Sequence, residues 1–312
     1  MILVTGPTGC IGRAVVDRLT SSGHPVKLLW HWGHEHLAPR RVSIVGGDVR
    51  NVKSLVDAME DVDTVIHLAS LRRDSGNDRV EEVNAMGTRN VVDAVKQTRV
   101  SRLISVSCIG AEARSAYPYL RSMGKAEEIV RSSGVNFTVL KSAAVYGEGD
   151  WLTSWLNGIA SGMPLVMPLP HLGETRLQPI WVGDLAACIE RCLTTRSTFR
   201  QVVPLGGPQS LTLAEIAQMT LGATRYRRRF IRIPTSMTRQ IAGFLSHFRG
   251  ALTEAEIDSL SYNRTTEIGS VHRMFGFAPA KMPTKLAHLR PGREPRPLPV
   301  RFPQQAAYAR TR

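Results

Sequence analysis

The sequence predicts an α/β protein with a doubly wound parallel sheet and a smaller, mostly helical C-terminal lobe. Short, continuous apolar runs alternate with helical patterns over the first half of the 312-residue chain, which is typical of parallel strands covered by helices on both faces. Gly6, Gly9 and Gly12 follow the first apolar run and lead into the first helical pattern. Because glycine has no Cβ, such a turn lets backbone N–H groups and a helix N-terminus face a pyrophosphate.

The first 150 residues are predicted to form a dinucleotide-binding core of the Rossmann type, which would bind NAD(P). The predicted strands are residues 2–4, 26–30, 42–45, 64–68, 103–106 and 137–140, and the helices after the glycine turn are residues 52–59, 80–98 and 119–133. In such sheets ligands bind beyond the carboxyl ends of the strands. We therefore expect the functional residues at that edge.

Residues 151–290 are predicted to form the smaller substrate lobe, with residues 177–205 returning to the core sheet. Proline and glycine interrupt the pattern after residue 150, and helical patterns reappear later in the chain. These helices are predicted over residues 151–159, 213–221, 235–248 and 254–260. The proline- and arginine-rich residues 291–312 are predicted to be a disordered tail.

Composition and cysteine usage exclude several classes of protein. The chain is 43% hydrophobic and 21% charged, and its apolar runs fall well short of the roughly 18–20 residues that a membrane span needs. Cys10, Cys108, Cys188 and Cys192 include no CxxC pair, so we expect neither a disulfide framework nor a metal site, and a cytoplasmic location. A core strand that begins at Ile2 leaves no room for a signal peptide.

The positive charge is concentrated towards the C-terminus. The formal net charge is +14, and residues 221–312 hold 17 basic and 5 acidic residues, a balance of +12. Such asymmetry occurs in proteins that contact nucleic acid, anionic lipid or acidic substrates, and a solvated arginine-rich surface is the simpler explanation. Because no nucleic-acid recognition motif accompanies the arginines, we expect no nucleic-acid partner. Peripheral membrane contact and the oligomeric state are left open.

Several sequence motifs together resemble a known family. They are residues 4–13 (VTGPTGCIGR), 47–49 (GDV), 63–70 (DTVIHLAS), 83–90 (VNAMGTRN), 118–122 (PYLRS), 145–147 (VYG), 178–180 (QPI), 206–208 (GGP) and 275–277 (FGF). With these motifs in this order, the chain resembles an atypical or extended short-chain dehydrogenase/reductase. It is most similar to the branch related to the accessory NAD(P)H-binding subunit of respiratory complex I and to nitrogen-metabolite-regulator-like proteins.

The resemblance implies which residues would hold a cofactor. The glycine turn would hold the pyrophosphate, the segment after the third strand would flank the adenine, and the ends of the fourth and sixth strands would complete the site. The implied residues are Gly6, Thr8, Gly9, Cys10, Ile11, Gly12, Arg13, Asp48, Val49, Leu68, Ala69, Ser70, Lys141 and Ser142. Asn84 matches an asparagine that supports the fourth strand, or is a helix residue bonded to backbone.

The end of the second strand favours NADP(H) over NAD(H). An acidic residue there would bind the ribose hydroxyls and repel a 2′-phosphate. This sequence has Trp30 and His31 instead, with Arg13 after the glycine turn and Arg40 and Arg41 downstream. His31 is therefore a candidate cofactor residue, or an ordinary surface histidine.

The catalytic set that the resemblance implies is only partly present. The family's reductases use a serine, a tyrosine and a lysine four residues later, whose charge lowers the pKa of the phenol. Tyr119 stands at the tyrosine position, but Met123 replaces the lysine and Cys108 replaces the serine. Ser107 could compensate only if the strand end is irregular. Tyr119, Cys108 and Ser107 are the candidate catalytic residues, and Cys108 is expected to be an inert thiol rather than a nucleophile.

Three nearby cations could supply the missing charge. Lys125 is about 240° around the helix from Tyr119 and is expected to point elsewhere. Tyr117 and Arg121 are four residues apart and form an out-of-register alternative. Lys141 could also lend charge to the pocket.

The segments after residue 150 favour a bulky, flat or lipophilic substrate. They contain an apolar and aromatic set, namely Trp151, Trp155, Met163, Val166, Met167, His171 and Trp181. Such residues line substrate clefts, although both tryptophans could equally pack the interface between the lobes.

Three functional hypotheses follow from the sequence. The first is an NADP(H)-binding oxidoreductase acting on a hydrophobic carbonyl, quinone or polyketide-like small molecule. The second is a non-redox enzyme on the same scaffold, such as an epimerase, dehydratase, cyclase or isomerase. The third is a non-enzymatic protein that senses the cofactor or assists assembly.

Overall fold

A computed structural model describes residues 1–30, 42–76, 78–234, 236–237, 253, 256–257 and 260–290. Its centre is one parallel sheet of seven strands. In chain order these are β1 (Ile2–Thr5), β2 (Val26–Trp30), β3 (Val42–Gly46), β4 (Thr64–His67), β5 (Arg102–Cys108), β6 (Phe137–Ser142) and, much later, β11 (Gln201–Leu205). Their spatial order is β11-β6-β5-β4-β1-β2-β3. The predicted Rossmann-type sheet is confirmed.

Helices cover both faces of this sheet because its strands are apolar throughout. They are α1 (Cys10–Ser21), α2 (Val52–Ala58), α3 (Gly87–Gln97), α4 (Pro118–Arg131) and α6 (Val182–Arg191), and a π-helical turn (Glu82–Met86) leads into α3. Side chains of α1 and α6 share one core cluster with the sheet, and those of α2, α3 and α4 share another. The strand order reverses at β1, which lies between β2 and β4, and such a reversal opens a crevice at the carboxyl ends of the strands.

The C-terminal lobe packs around its own apolar core. Its helices are α5 (Trp151–Gly162), α7 (Leu213–Thr224) and the short α8 (Ser270–Phe275); α5 and α7 pack together in a core that includes Trp155 and Leu213, whereas α8 packs against the main sheet's cluster. Three further sheets have two strands each: β7 (Val145–Tyr146) with β10 (Ile180–Trp181), β9 (Arg176–Leu177) with β12 (Leu211–Thr212), and β8 (Val166–Leu169) with β13 (Arg229–Arg232).

The segment predicted to return to the sheet does so only in its last part. Its first part forms the separate short strands β9 and β10, outside the central sheet, and α6 begins at Val182. Pro179, which cannot donate a backbone hydrogen bond, separates the two short strands. The buried Gln178 side chain donates to the Gly207 carbonyl and accepts from Thr266 N, which fixes the bend.

Some predictions concern residues that the structure does not describe. The undescribed residues include His31, Arg40 and Arg41 and the tail over residues 291–312. They also include most of the predicted helices over residues 235–248 and 254–260. Among the described residues, every helix is too short or too polar to cross a bilayer.

Candidate functional site

A cleft of about 640 Å³ opens at the carboxyl edge of the central sheet. One end is formed by the glycine turn and the segments that follow β2 and β3. The other end is formed by the ends of β5 and β6, one face of α4 and side chains of the C-terminal lobe. We call these the nucleotide end and the substrate end of the cleft.

The glycine turn has a backbone that side chains would block. Gly6 has φ +67°, and a Cβ added there would lie 2.6 Å from the backbone of Ala69. A Cβ on Gly12 would lie 2.1 Å from the Gly6 carbonyl oxygen. Gly9 caps the N-terminus of α1 without a side-chain hydrogen bond, and the first turn of α1 has no acidic residue. The first amides of α1 therefore face the cleft, and the turn fits a pyrophosphate.

A buried hydrogen-bond chain fixes the strand ends behind this turn. The Thr5 hydroxyl lies 2.8 Å from Nδ1 of His67 and accepts from the amides of Leu68 and Ala69. Nε2 of His67 lies 3.0 Å from the hydroxyl of Thr88. Burial lowers the pKa of His67 to about 4, so the imidazole is neutral at physiological pH. The sequence analysis missed this role, although threonine and histidine at neighbouring strand ends are visible in the sequence.

Asn84 holds the segment after β4 in place. Its side-chain oxygen accepts from Leu71 N at 2.7 Å, and its amide donates to the Leu71 carbonyl at 2.8 Å and to the Ser122 hydroxyl at 2.9 Å. Asn84 thereby connects the π-helical turn with the loop after β4 and with α4. It supports the strand end as the resemblance implies.

The segment after β3 brings a cation into the nucleotide end. Asp48 and Val49 line the cleft, and so does Arg50, which the sequence analysis missed. The Arg50 guanidinium is 2.6 Å from a carboxylate oxygen of Asp48 and 2.8 Å from one of Asp78. The hydrogen bond with Asp48 is the largest of the contacts that raise the pKa of Arg50. The signal in the sequence was an arginine two residues after the motif aspartate.

The other candidate cofactor residues divide into those that line the cleft and those that do not. The lining residues are Gly6, Thr8, Gly9, Cys10, Ile11, Gly12, Leu68, Ala69, Ser70 and Ser142. Arg13 is not among them, because its Nε donates to the Thr8 carbonyl at 2.9 Å. Burial, with the nearby Asp150, raises the pKa of the Cys10 thiol to about 12, which makes it unreactive.

Lys141 does not line the cleft, as a cofactor residue would, but it lends charge to the pocket as expected, since it lowers the pKa of the Cys108 thiol against the stronger effect of burial. The Nζ of Lys141 is 3.0 Å from Glu127 of α4 and donates to the Ala111 carbonyl. Ser107 is paired with Lys141 across β5 and β6, and its hydroxyl donates to the same Glu127 carboxylate at 3.1 Å. Because paired residues share one face of a sheet, both side chains are committed to Glu127. Ser107 lines the cleft, but its hydroxyl is bonded to Glu127, so its role in place of the missing serine stays a prediction.

Tyr119 and Cys108 meet at the substrate end. Both line the cleft. Burial raises the pKa of the Tyr119 hydroxyl well above its ordinary value, and the neighbouring Cys108 side chain raises it further. Burial also raises the pKa of the Cys108 thiol. Neither group is an acid that ionises near neutral pH.

Met123 occupies the lysine position and lines the cleft with 6% of its surface exposed. Lys125 forms an ion pair with Glu81 at 2.6 Å and lines a separate surface cavity. In the out-of-register alternative, Arg121 donates to the carbonyls of Ser115 and Ala116, and the Tyr117 ring stands edge-on to Tyr262. The positive charge beside Tyr119 does not come from these residues.

Two arginines from distant parts of the chain supply that charge. Arg72 and Arg264 line the substrate end, and both lower the pKa of Tyr119, against the stronger effect of burial. Arg72 forms an ion pair with Glu256 and lies over the ring of Trp151, 4.5 Å from its centre. The Arg264 backbone N–H donates to the Arg176 carbonyl, which fixes it beside β9. No local sequence signal connects these arginines with Tyr119.

The predicted apolar lining is mostly core instead. Trp151 lines the cleft, whereas Trp155 is fully buried among the side chains of the C-terminal lobe. Met163, Met167 and Trp181 pack against the same core. The ring of His171 lies 3.1 Å from the Ile257 carbonyl. Most of this set therefore stabilises the lobe, and the substrate end is more polar than the sequence suggested.

Comparison with known proteins agrees with this geometry. Residues 6–150 match the model of a family described as NAD(P)H-binding. The chain is 27% identical over 249 residues to the NADH-ubiquinone oxidoreductase 40 kDa subunit of Neurospora crassa, covering 78% of this chain and 65% of that one. It is 28% identical over 242 residues to an NAD(P)H azoreductase of Xenophilus azovorans, covering 77% and 79%. The chain thus spans slightly less than two thirds of the complex I subunit.

The fold also matches solved structures. A nucleoside-diphosphate-sugar epimerase of Staphylococcus aureus superposes with a TM-score of 0.72 at 18% identity, over 92% of this chain and 99% of that one. At this identity the likeness concerns the fold alone. It extends over the sheet and the C-terminal lobe together.

Proposed function

We propose that this chain is an NADP(H)-dependent reductase of a hydrophobic carbonyl, quinone or polyketide-like small molecule. The chain contains an NAD(P)H-binding domain and belongs to the atypical short-chain dehydrogenase/reductase family. The observation that carries the proposal is the continuity of the cleft. One cavity joins the glycine turn to Tyr119 and Cys108, so a dinucleotide held at one end would reach the side chains at the other.

The chain's own groups at the nucleotide end favour the phosphorylated cofactor. β2 ends in Trp30, and the described residues of that strand include no carboxylate. Arg50 lines the same end of the cleft. A carboxylate on β2 would repel a 2′-phosphate, whereas a guanidinium attracts one.

At the substrate end, the proposed reaction depends on arginine rather than on a tyrosine–lysine pair. Bound NADPH would supply the hydride. Trp151, with Arg72 over its ring, offers a flat surface for a planar substrate. The Tyr119 hydroxyl and the Arg264 guanidinium would donate hydrogen bonds to the substrate oxygen, where negative charge develops. Because burial raises the pKa of Tyr119, solvent would complete the protonation.

The proposal is tested by titrating the protein with NADPH and with NADH while following nicotinamide fluorescence. We expect NADPH to bind more tightly than NADH, and we expect consumption of bound NADPH, matched to product, when a quinone is added. Failure of both nucleotides to bind at high micromolar concentration would refute the proposal. The Arg13→Gln variant should bind NADPH like the parent, since Arg13 lies beside the turn but does not line the cleft.

A non-redox reaction on the same scaffold is the second candidate. It is favoured by Met123 at the lysine position, because the usual proton relay lacks its cation. Product formation without net NADPH consumption would favour this candidate. Tight NADPH binding with no turnover of any carbonyl, quinone or azo compound would favour the third hypothesis, a cofactor-sensing protein.

A further inference from the structure

A surface that is both apolar and basic lies on the C-terminal lobe and shares no residue with the cleft. We call it the β13 patch. It consists of Leu165, Leu172, Arg229, Ile231, Arg232 and Met237, whose side chains are exposed.

The pairing of β13 with β8 places Arg229 and Ile231 together on one face of the strand. Phe230 packs against the core of the lobe, so its neighbours Arg229 and Ile231 point to the opposite, outer face of the strand. Arg232 alternates onto the face of Phe230 and is exposed at the end of the strand. The Arg229 amide donates to the Leu165 carbonyl, and the Leu172 amide donates to the Ile233 carbonyl. These two bonds place a leucine at each end of β13.

The apolar members of the patch are far more exposed than their type usually is. Leu165 is 77% exposed, Ile231 49%, Met237 48% and Leu172 37%. Seven large hydrophobic residues are exposed in the described part of the chain, and four of them lie here. Single exposed apolar residues are ordinary, but a cluster marks a surface that binds something.

The charge around these apolar side chains is predominantly positive. Residues 225–232 contain five arginines and no acidic residue. Arg225 and Arg227 are exposed just before β13, and Arg229 and Arg232 are exposed on it. Glu174, exposed two residues beyond Leu172, is a nearby carboxylate on the paired segment. The partner should therefore carry dense negative charge beside an apolar interior.

We propose that the β13 patch binds the surface of an anionic lipid bilayer. Arginines at the level of the headgroups attract anionic lipid, while exposed leucine, isoleucine and methionine side chains insert among the acyl chains. A nucleic acid would use the arginines but would leave the four apolar side chains against water. The combination of both features favours the membrane.

The test uses sedimentation of the full chain with vesicles of equal parts phosphatidylcholine and phosphatidylglycerol, compared with pure phosphatidylcholine. We expect binding to the anionic vesicles. Since each basic residue at an anionic surface contributes about fivefold, Arg229→Gln with Arg232→Gln should weaken binding roughly 25-fold. Arg99→Gln with Arg131→Gln, exposed arginines after α3 and at the end of α4, is the matched control and should bind like the parent.

The apolar half of the proposal is tested separately. Leu165→Ser with Ile231→Thr should abolish the binding that remains at high salt, where headgroup attraction is screened. Hydrogen exchange of residues 226–234 in the parent should slow on anionic vesicles, which checks the contact without any substitution.

Three results would overturn the proposal. Equal binding to neutral and anionic vesicles would show that the arginines do not contribute to binding. Unchanged binding of both patch variants would assign the membrane contact to another basic region. Binding to a DNA duplex without binding to anionic vesicles would assign the arginines to nucleic acid.

Discussion

The two ends of the cleft are built in different ways. At the nucleotide end, backbone atoms of the glycine turn and of the segment after β4 approach each other so closely that a Cβ at Gly6 or Gly12 would collide. At the substrate end, the surface consists of side chains from separate segments, including Tyr119, Cys108 and Arg264.

The difference teaches which part of such a site can vary. Backbone geometry that depends on glycine tolerates little change, because any side chain at Gly6 or Gly12 meets main-chain atoms. At the substrate end, where side chains from separate segments form the surface, one side chain can be replaced by another. Here Met123 stands at the lysine position while arginines from other loops bring positive charge to Tyr119.

The largest expected effect is at the nucleotide end. Gly12→Ala places a Cβ 2.1 Å from the Gly6 carbonyl oxygen, so the turn must move. We expect a loss of about 1–3 kcal/mol in the free energy of unfolding, as for other overpacked sites, and loss of NADPH binding by fluorescence titration. Gly46→Ala is the matched control, because a Cβ there meets nothing within 4 Å; if both variants bind NADPH like the parent, the turn does not hold the nucleotide.

An intermediate effect concerns the buried histidine behind the turn. The pKa of His67 is about 4 in the folded protein and about 6.5 in the unfolded chain, so the unfolded state binds more protons between these values. Stability from His67 is therefore present above about pH 6.5 and is lost as the pH falls towards about 4, by about 3 kcal/mol in all.

Urea unfolding of the parent and of His67→Gln at a series of pH values measures the contribution of His67 as the difference between their free energies of unfolding. The gap in stability between the parent and His67→Gln should shrink as the pH falls through that window. His272→Gln, at an exposed position on α8, serves as the control. A gap that stays constant with pH would show that His67 is not held neutral by burial.

The smallest expected effect is on the preference for NADPH over NADH. Arg50→Gln should reduce the ratio of NADPH to NADH affinity by roughly threefold to tenfold, since Arg50 is half-exposed and shared with Asp48 and Asp78. Paired titrations with the two nucleotides measure the ratio. An unchanged ratio would place the 2′-phosphate away from Arg50.

Local patterns in the sequence were sufficient to predict the fold and the backbone segments of the nucleotide end, although not its side chains Arg50 and His67. The glycine turn, the apolar strands and the segments after β3 and β4 are each contiguous in the chain, and each lies where the pattern placed it. Asp48, Val49 and Leu68 needed only the rule that parallel strands bring their carboxyl ends to one edge.

The substrate end could not be predicted in this way, because its geometry depends on contacts between distant segments. The direction of Lys141 follows from its pairing with Ser107 and from Glu127 of α4. Arg72 and Arg264 meet Tyr119 only after the C-terminal lobe has folded back over the sheet. Trp155 could be assigned to core rather than to the cleft only once the lobe's own cluster was known.

The central claim is that the nucleotide end is complete while Tyr119 does not act as a readily ionised acid. The most direct test is an ultraviolet difference titration of the parent against Tyr119→Phe, with NADP⁺ present. The account predicts equal NADP⁺ affinity for both proteins and no phenolate signal from Tyr119 up to about pH 9, since burial raises its pKa above the ordinary value near 10. A phenolate signal that appears below about pH 8 and is absent from Tyr119→Phe would contradict it, because Tyr119 would then be activated as in the family's tyrosine–lysine enzymes.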